Sequence, residues 1–251
     1  VFHVKRVLAL LAERYALNEH QEKQLATILH ELARDELAPT TVRDPVRALN
    51  IHLADSLVAL ELEVLGSLVD EARSDHASRN DGGAPSVLTD IGAGAGFPGL
   101  PLAIALPGSE VILLDSQARK CAFVERVCLA AGVENARVVC SRIEEWREGI
   151  GGSDVVMARA LAPQSVVLEY AAPLLRLGGT LLDWRGRRDA AEETAALAAA
   201  DELGLRLVDI RHVEPYREAR HHHLHVYEKA RETPARYPRR AGVARKRPLG
   251  C

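Results

Sequence analysis

No apolar run in the 251-residue chain approaches the ~20 residues that a membrane-spanning helix requires, so a helical membrane protein is excluded and a soluble one is expected. Cysteine is scarce: the four residues at positions 121, 128, 140 and 251 form no C-x-x-C pair and no zinc-ligand spacing, which leaves buried or free thiols in a reducing cytosol. The stretch from Val1 to Leu17 lacks an unbroken apolar patch, because Glu13 and Arg14 interrupt it, and it lacks a small-residue cleavage site. It is not a secretory signal by that pattern, and the expected location is cytoplasmic. Internal repeats are also missing. What remains is an ordinary globular balance, 47% apolar and 27% charged, which excludes disorder and allows a sizeable core.

Charge is present but unevenly placed. Residues 229–251 carry eight basic side chains against the single acid Glu232, whereas the other 228 residues carry 24 basic and 34 acidic ones. An acidic body with a basic, proline-containing end points to a polyanionic partner rather than to a fold.

The hydrophobic pattern changes once along the chain. From Val1 to about Leu37, apolar residues recur at helical spacing, with a break near Asn18, and the pattern resumes from Val46 to Val69 with Asp44 as cap and Pro45 at the first helical position. Residues 74–85, SDHASRNDGGAP, have turn chemistry and no apolar period, and mark a boundary. Beyond it, short apolar runs at Ser86–Ile91, Glu110–Asp115, Ala136–Cys140, Asp154–Ala158 and Gly179–Trp184 alternate with helical stretches near 99–106, 117–131, 163–176 and 189–203. That alternation predicts βαβ units and a parallel sheet. The last two runs, Leu205–Val213 and Leu224–Ala230, are too closely joined for a crossover helix and should pair antiparallel. The expected organisation is a helical extension over 1–73, a linker over 74–85, an α/β domain over 86–230, and a basic tail over 231–251 that packs on the domain or on a polyanion.

The first strand leads directly into Gly92-Ala93-Gly94-Ala95-Gly96-Phe97-Pro98-Gly99 and then into a helix. Glycines at such a turn allow positive φ and close approach of a ligand to the backbone, and the helix start offers free N–H groups. Gly94, Gly96 and Gly99 satisfy the dinucleotide spacing, and Asp115 at the end of the second strand suits the ribose of either NAD or S-adenosylmethionine. Two features favour the latter: the antiparallel last strand, which belongs to methyltransferase sheets, and the lack of a hydride-relay His or Tyr. The expected fold is therefore an α/β, Rossmann-like class I S-adenosylmethionine-dependent methyltransferase, seven-stranded and mostly parallel, with an N-terminal helical extension.

The local sequences DIGAGAGFPGLPLAIALP, LLDS followed by Arg119-Lys120, SRIEEW, ARAL, HLADSL and TPARYPRRAGVARKRPL closely resemble the RsmG (GidB) family of bacterial 16S ribosomal RNA guanine-N7 methyltransferases. The resemblance implies that Gly92, Gly94, Gly96 and Phe97 adjoin the methionine end of S-adenosyl-L-methionine. It further implies that Asp115 accepts from the ribose hydroxyls, that Ile143 and Glu144 flank the adenine, and that Arg159 borders both cofactor and target base. The implied partner is 16S ribosomal RNA or the small ribosomal subunit, with no membrane and no demand for a dimer, so a monomer is expected. Phosphate contacts are expected from Arg220, Arg236, Arg239, Arg240, Arg245, Lys246 and Arg247, with Tyr237 stacking on a base.

Guanine N7 has an in-plane lone pair and no proton to lose, so the reaction needs alignment more than a general base, and Arg159 is the single side chain put forward beside the reacting groups. The alternatives are a small-molecule methyltransferase and a non-catalytic RNA-binding assembly factor, with an NAD oxidoreductase behind both. His52, Asp55 and Ser56 lie at i, i+3 and i+4 and share a helix face. The histidines at 221–223 and 225 have no acidic or cysteine neighbour in sequence and are not read as a metal site. The chain departs from the family pattern there, where Arg-His followed by apolar residues is usual, and at Arg185-Gly186, where Lys-Gly is usual.

Overall fold

The computed structural model describes residues 2–42, 44–73 and 84–250. The chain opens with α1 (Phe2–Arg14) and α2 (Glu19–Arg34). Their break falls at Asn18, whose side chain accepts from the Gln21 N–H while the Gln21 side chain accepts from the Asn18 N–H, satisfying two free donors reciprocally. Leu25, Ile28, Leu29 and Leu32, spaced as one helical stripe, are buried.

The pattern over 46–69 predicts a continuous helix, and the structure divides it. Asp44 caps α3 (Pro45–Ala48) by accepting from the Arg47 N–H. Residues Leu49–Ala54 then form a π turn, in which the Asp55 N–H reaches Asn50 O, followed by α4 (Asp55–Leu57) and a 3-10 turn, Val58–Glu61. Extended Leu62 separates these from α5 (Glu63–Arg73). From His52 to Ala59 every residue is buried, so no polar face marks where the helical geometry changes. The boundary expected at 74–85 lies, except for its last two residues, outside the described residues.

The sheet follows: β1 (Val87–Ile91), α6 (Gly99–Ala105), β2 (Glu110–Asp115), α7 (Ala118–Ala131), β3 (Ala136–Cys140), β4 (Ser153–Arg159), α8 (Gln164–Ala171), β5 (Leu175–Arg185), α9 (Ala190–Leu203), β6 (Leu205–Val213) and β7 (His222–Lys229). The strand order is β3-β2-β1-β4-β5-β7-β6; the first five strands pair parallel, and β7 inserts antiparallel between β5 and β6. The order reverses between β1 and β4, which opens a crevice beyond their carboxyl ends.

Alternation along each strand feeds two cores. Leu88, Val111, Leu113, Val155 and Met157 face a core completed by α1 to α6, with Leu25, Leu53, Leu57 and Leu100 in the same cluster. Ile91, Ile112, Leu114, Val156 and Ala158 face the other, formed with α8 and α9. The N-terminal helices therefore continue the core of one sheet face. Tyr237 and Ala244, the latter on the short helix α10 (Val243–Lys246), join the second core. Polar pairs are also buried in the sheet, among them Asp183 on β5, which lies directly across from His225 on β7. Burial lifts the Asp183 carboxyl to about 7 and lowers His225 to about 4.

Candidate cofactor cavity and substrate cleft

The turn after β1 has the conformation its glycines predict. Gly92, Gly94 and Gly96 all have positive φ, at 73°, 61° and 94°. A Cβ on Gly92 would stand 2.5 Å from the Leu161 side chain, and one on Gly96 would stand 2.4 Å from Leu100, so both sites require glycine for space as well as for φ. Beneath the turn, Asp90 is fully buried; its Oδ2 accepts from the Gly99 N–H at 2.8 Å, while Oδ1 has no hydrogen-bond partner in the protein. Burial pushes this carboxyl up to about 7.

Asp115, the last residue of β2, holds the turn from the other side. Its Oδ2 accepts from the Gly94 N–H at 3.0 Å and its Oδ1 from the Gln117 N–H at 2.9 Å, with Lys120 Nζ at 3.5 Å. Oδ1, with one donor, has a lone pair free for another, while Oδ2 already faces both Gly94 and Lys120. Asp115 lines a cavity of about 240 Å³ together with Gly92, Ile143, Glu144, Leu161 and Tyr170. An acceptor for a diol at Asp115, a turn at Gly92 that leaves no space for a side chain, and a narrow cavity lined by both fit an adenosine-containing cofactor.

A second, wider cleft of about 850 Å³ lies across the same edge of the sheet. Its walls include Thr40, His52 and Asp55 from the N-terminal segment, Arg159 at the end of β4, Trp184 and Arg185 on β5, and His222 on β7. Asp55 organises it. One oxygen accepts from Arg159 Nη1 at 2.9 Å and the other from His222 Nδ1 at 2.9 Å, while the Asp55 carbonyl accepts from Trp184 Nε1 at 2.8 Å. Arg159 also donates to Ile51 O at 2.7 Å and faces His52 Nδ1 at 3.5 Å.

Burial, reinforced by the Arg159 charge, lowers His52 to about 4, so its ring is neutral near pH 7. Because the guanidinium only donates, Nδ1 is the acceptor, and Nε2–H donates to Thr40 Oγ1 at 3.0 Å. The His52 ring stacks on Phe97 with centroids 4.5 Å apart and planes 7° from parallel, and the Arg159 guanidinium sits 5.7 Å from the same phenyl ring.

The expected cofactor residues thus fall into two groups. Gly92, Asp115, Ile143 and Glu144 line the cavity, with Gly94 and Gly96 shaping its turn; Phe97 and Arg159 stand on the side of the cleft. Among the described residues, Ala160 alone lines both spaces.

The expected RNA contacts divide as well. Arg220, Arg240, Lys246 and Arg247 are exposed. Arg236 pairs with Glu202 at 2.9 Å, and the Tyr237 hydroxyl bonds the same carboxylate. Arg239 binds the buried Glu169 through two hydrogen bonds, and Arg245 donates to Leu161 O at 3.0 Å. Sequence reasoning passed over Thr40, Trp184 and His222 as parts of one cleft. The i, i+3 spacing of His52 and Asp55 was the available signal, but the contact of Asp55 with His222 spans 167 residues and only the folded topology creates it.

A seven-stranded sheet with the last-formed strand antiparallel, a glycine turn after β1 and a carboxylate closing β2 define a class I S-adenosylmethionine-dependent methyltransferase fold. Among solved structures, an S-adenosylmethionine-dependent methyltransferase from Aquifex aeolicus aligns with a TM-score of 0.48 and 16% identity over 74% of this chain and 98% of that one. The chain belongs to the GidB family, rRNA small subunit methyltransferase G, which matches residues 19–221. It is similar to proteins named ribosomal RNA small subunit methyltransferase G from Chloroflexus aggregans (36% identical over 239 residues, 93% of this chain and 92% of that one) and Synechococcus elongatus (33% over 235 residues, 92% and 90%). The corresponding protein of Syntrophomonas wolfei is 47% identical over 166 residues, 65% of this chain and 77% of its own length.

Proposed function

We propose that the protein transfers a methyl group from S-adenosylmethionine to N7 of a guanine in 16S ribosomal RNA, presented as RNA or within the small subunit. The observation that carries this reading is the pair of spaces that meet at Ala160: a narrow cavity with a diol acceptor beside an open cleft with cationic and aromatic walls. S-adenosylmethionine, when bound, would supply an electrophilic methyl carbon to the N7 lone pair, with the C–S bond breaking and the sulfonium leaving as the neutral thioether S-adenosylhomocysteine.

The protein's own residues bind and align. Asp115 accepts from the ribose hydroxyls, and Ile143 and Glu144 flank the adenine. The glycine turn admits the methionine end against the backbone. Arg159, locked between Asp55 and Ile51 O, is a positioning residue at the border of cavity and cleft rather than a proton acceptor. No base is required, because N7 carries no proton. The cleft receives the guanine as an exposed nucleotide, since N7 inside an A-form stem lies in a groove too deep and narrow for a side-chain-lined site. Arg220, Arg240, Lys246 and Arg247, with Arg187 at the cleft mouth, supply the salt-dependent attraction to phosphates.

The test is transfer of labelled methyl from S-adenosylmethionine to small subunits, large subunits and protein-free ribosomal RNA, followed by mapping of the modified base. Label on one small-subunit guanine N7 is expected. Cofactor binding without label on any of the three would transfer the reading to a small-molecule acceptor or to a non-catalytic assembly role.

A further inference from the structure

The basic segment after β7 does not trail away from the domain. Arg231 pairs with Asp201 at 2.6 Å, Arg236 with Glu202 at 2.9 Å, and Arg239 with Glu169, whose side chain is 1% exposed. Tyr237, buried, lies between the guanidinium groups of Arg236 and Arg239 at 5.1 and 5.9 Å. These contacts carry the chain across α8 and α9 toward the carboxyl edge of the sheet. There the Gly242 N–H donates to Glu144 Oε1 at 2.8 Å, and Arg245 donates to Leu161 O at 3.0 Å. Gly242 holds φ +77°, a conformation glycine adopts without strain. Both Gly242 and Arg245 line the 240 Å³ cavity.

Those two contacts touch the cavity at its critical walls. Glu144 follows β3 and lines the cavity, and the Tyr170 hydroxyl interacts with both Glu144 and Arg245. Leu161 is the residue whose side chain closes over Gly92, where an added Cβ would meet it at 2.5 Å. The segment therefore holds two lining residues of the cavity, Glu144 through its carboxylate and Leu161 through its carbonyl.

We infer that the C-terminal segment around Gly242 and Arg245 is part of the binding site for the adenosine portion of the cofactor, and that its anchoring cations serve this placement before any contact with RNA. The inference rests on the reading of the 240 Å³ cavity as the S-adenosylmethionine site. It assigns the cationic count of the segment to two uses. Arg231, Arg236, Arg239 and Arg245 bond to the domain, all but Arg239 while remaining exposed, and the likewise exposed Arg240, Lys246 and Arg247 are left to face RNA.

The test uses the full chain and two measurements. Hydrogen–deuterium exchange of the unmodified protein with and without S-adenosylhomocysteine should show slowed exchange both at 240–247 and at 92–97. Calorimetric titration of Arg245→Ala should show affinity for S-adenosylhomocysteine and for 5′-methylthioadenosine weakened by the same factor, about tenfold, because the lost contacts serve the nucleoside that both share. Affinity for protein-free ribosomal RNA should be unchanged within twofold. Cofactor affinity unaltered in Arg245→Ala, together with no protection at 240–247, would overturn the inference while leaving the cavity assignment intact. Loss of RNA affinity with cofactor affinity preserved would overturn it in favour of an RNA arm. If the unmodified protein fails to bind S-adenosylhomocysteine at all, the cavity assignment itself falls, and the inference with it.

Discussion

The two ends of the chain meet the same edge of the sheet by different means. The N-terminal segment reaches the cleft through side chains: His52 and Asp55 are buried, titratable or charged, and joined to Arg159, Trp184 and His222 by directional bonds. The C-terminal segment reaches the cavity through a main-chain N–H and one guanidinium, while three of its arginines pair with acids on α8 and α9. The first arrangement ties side chains together across the cleft. The second sets one guanidinium and one main-chain N–H on the wall of the cavity. A charge count cannot distinguish them, because it takes no account of where the opposing carboxylates lie.

Mutations should separate the two spaces. Asp115→Ala removes a charged acceptor from both ribose hydroxyls, each such bond being worth ~1.5–3 kcal/mol, so cofactor affinity measured by calorimetry should fall ~100-fold or more. RNA affinity should hold, and an equal loss of both would break the division between cavity and cleft. Arg159→Ala acts on stability: it leaves Asp55, 5% exposed, without its cationic partner, and should cost ~3–5 kcal/mol in urea unfolding, with Arg159→Lys recovering part of it. A change below ~1 kcal/mol would mean that the ion pair does not fasten the N-terminal segment to the sheet. His222→Ala removes the second donor to Asp55 from a partly exposed position. It should lower kcat/KM for RNA about tenfold with cofactor affinity unchanged, and the reverse pattern would place His222 with the cavity.

The smallest effect concerns pH. Asp183 is raised to about 7, so its stabilising protonated form is complete below about pH 4 and is lost as pH rises toward 7. His225, lowered to about 4, has the opposite sign, with stability gained as pH rises from 4 toward 6.5. The two trends oppose each other across the β5–β7 pair. Asp183→Asn should therefore stabilise the protein relative to the unmodified chain more at pH 7 than at pH 4.5, read from urea midpoints. An identical shift at both values would show that Asp183 does not titrate in this range.

Much of the architecture was legible because it is local. Short apolar runs between helical stretches announced β1 to β6. The close spacing of 205–213 and 224–230 announced an antiparallel pair, and the glycines at 92, 94 and 96 occupy the positive-φ positions that their residue type requires. Asp115 was legible as a carboxylate at the end of β2. The divided helix at 45–61 was not, since burial on all sides leaves no amphipathic stripe whose phase would reveal a π turn. The cleft was not legible either. Thr40, Asp55, Trp184 and His222 come from distant parts of the chain, and nothing in the pattern around His222 points to an aspartate 167 residues away. The positions of Arg236 and Arg239 against Glu202 and Glu169 depend in the same way on tertiary proximity.

Ala160 has one more consequence. It adopts φ +52°, a conformation that few residues with a side chain hold, and it lines both the cavity proposed for the nucleoside and the cleft proposed for the target base. A partition one residue thick sets the length of an inhibitor: an adenosine and a guanine joined by a tether of a few atoms would occupy both compartments at once. Such a compound would gain affinity from the linkage itself, because the second half docks without a further loss of translational freedom.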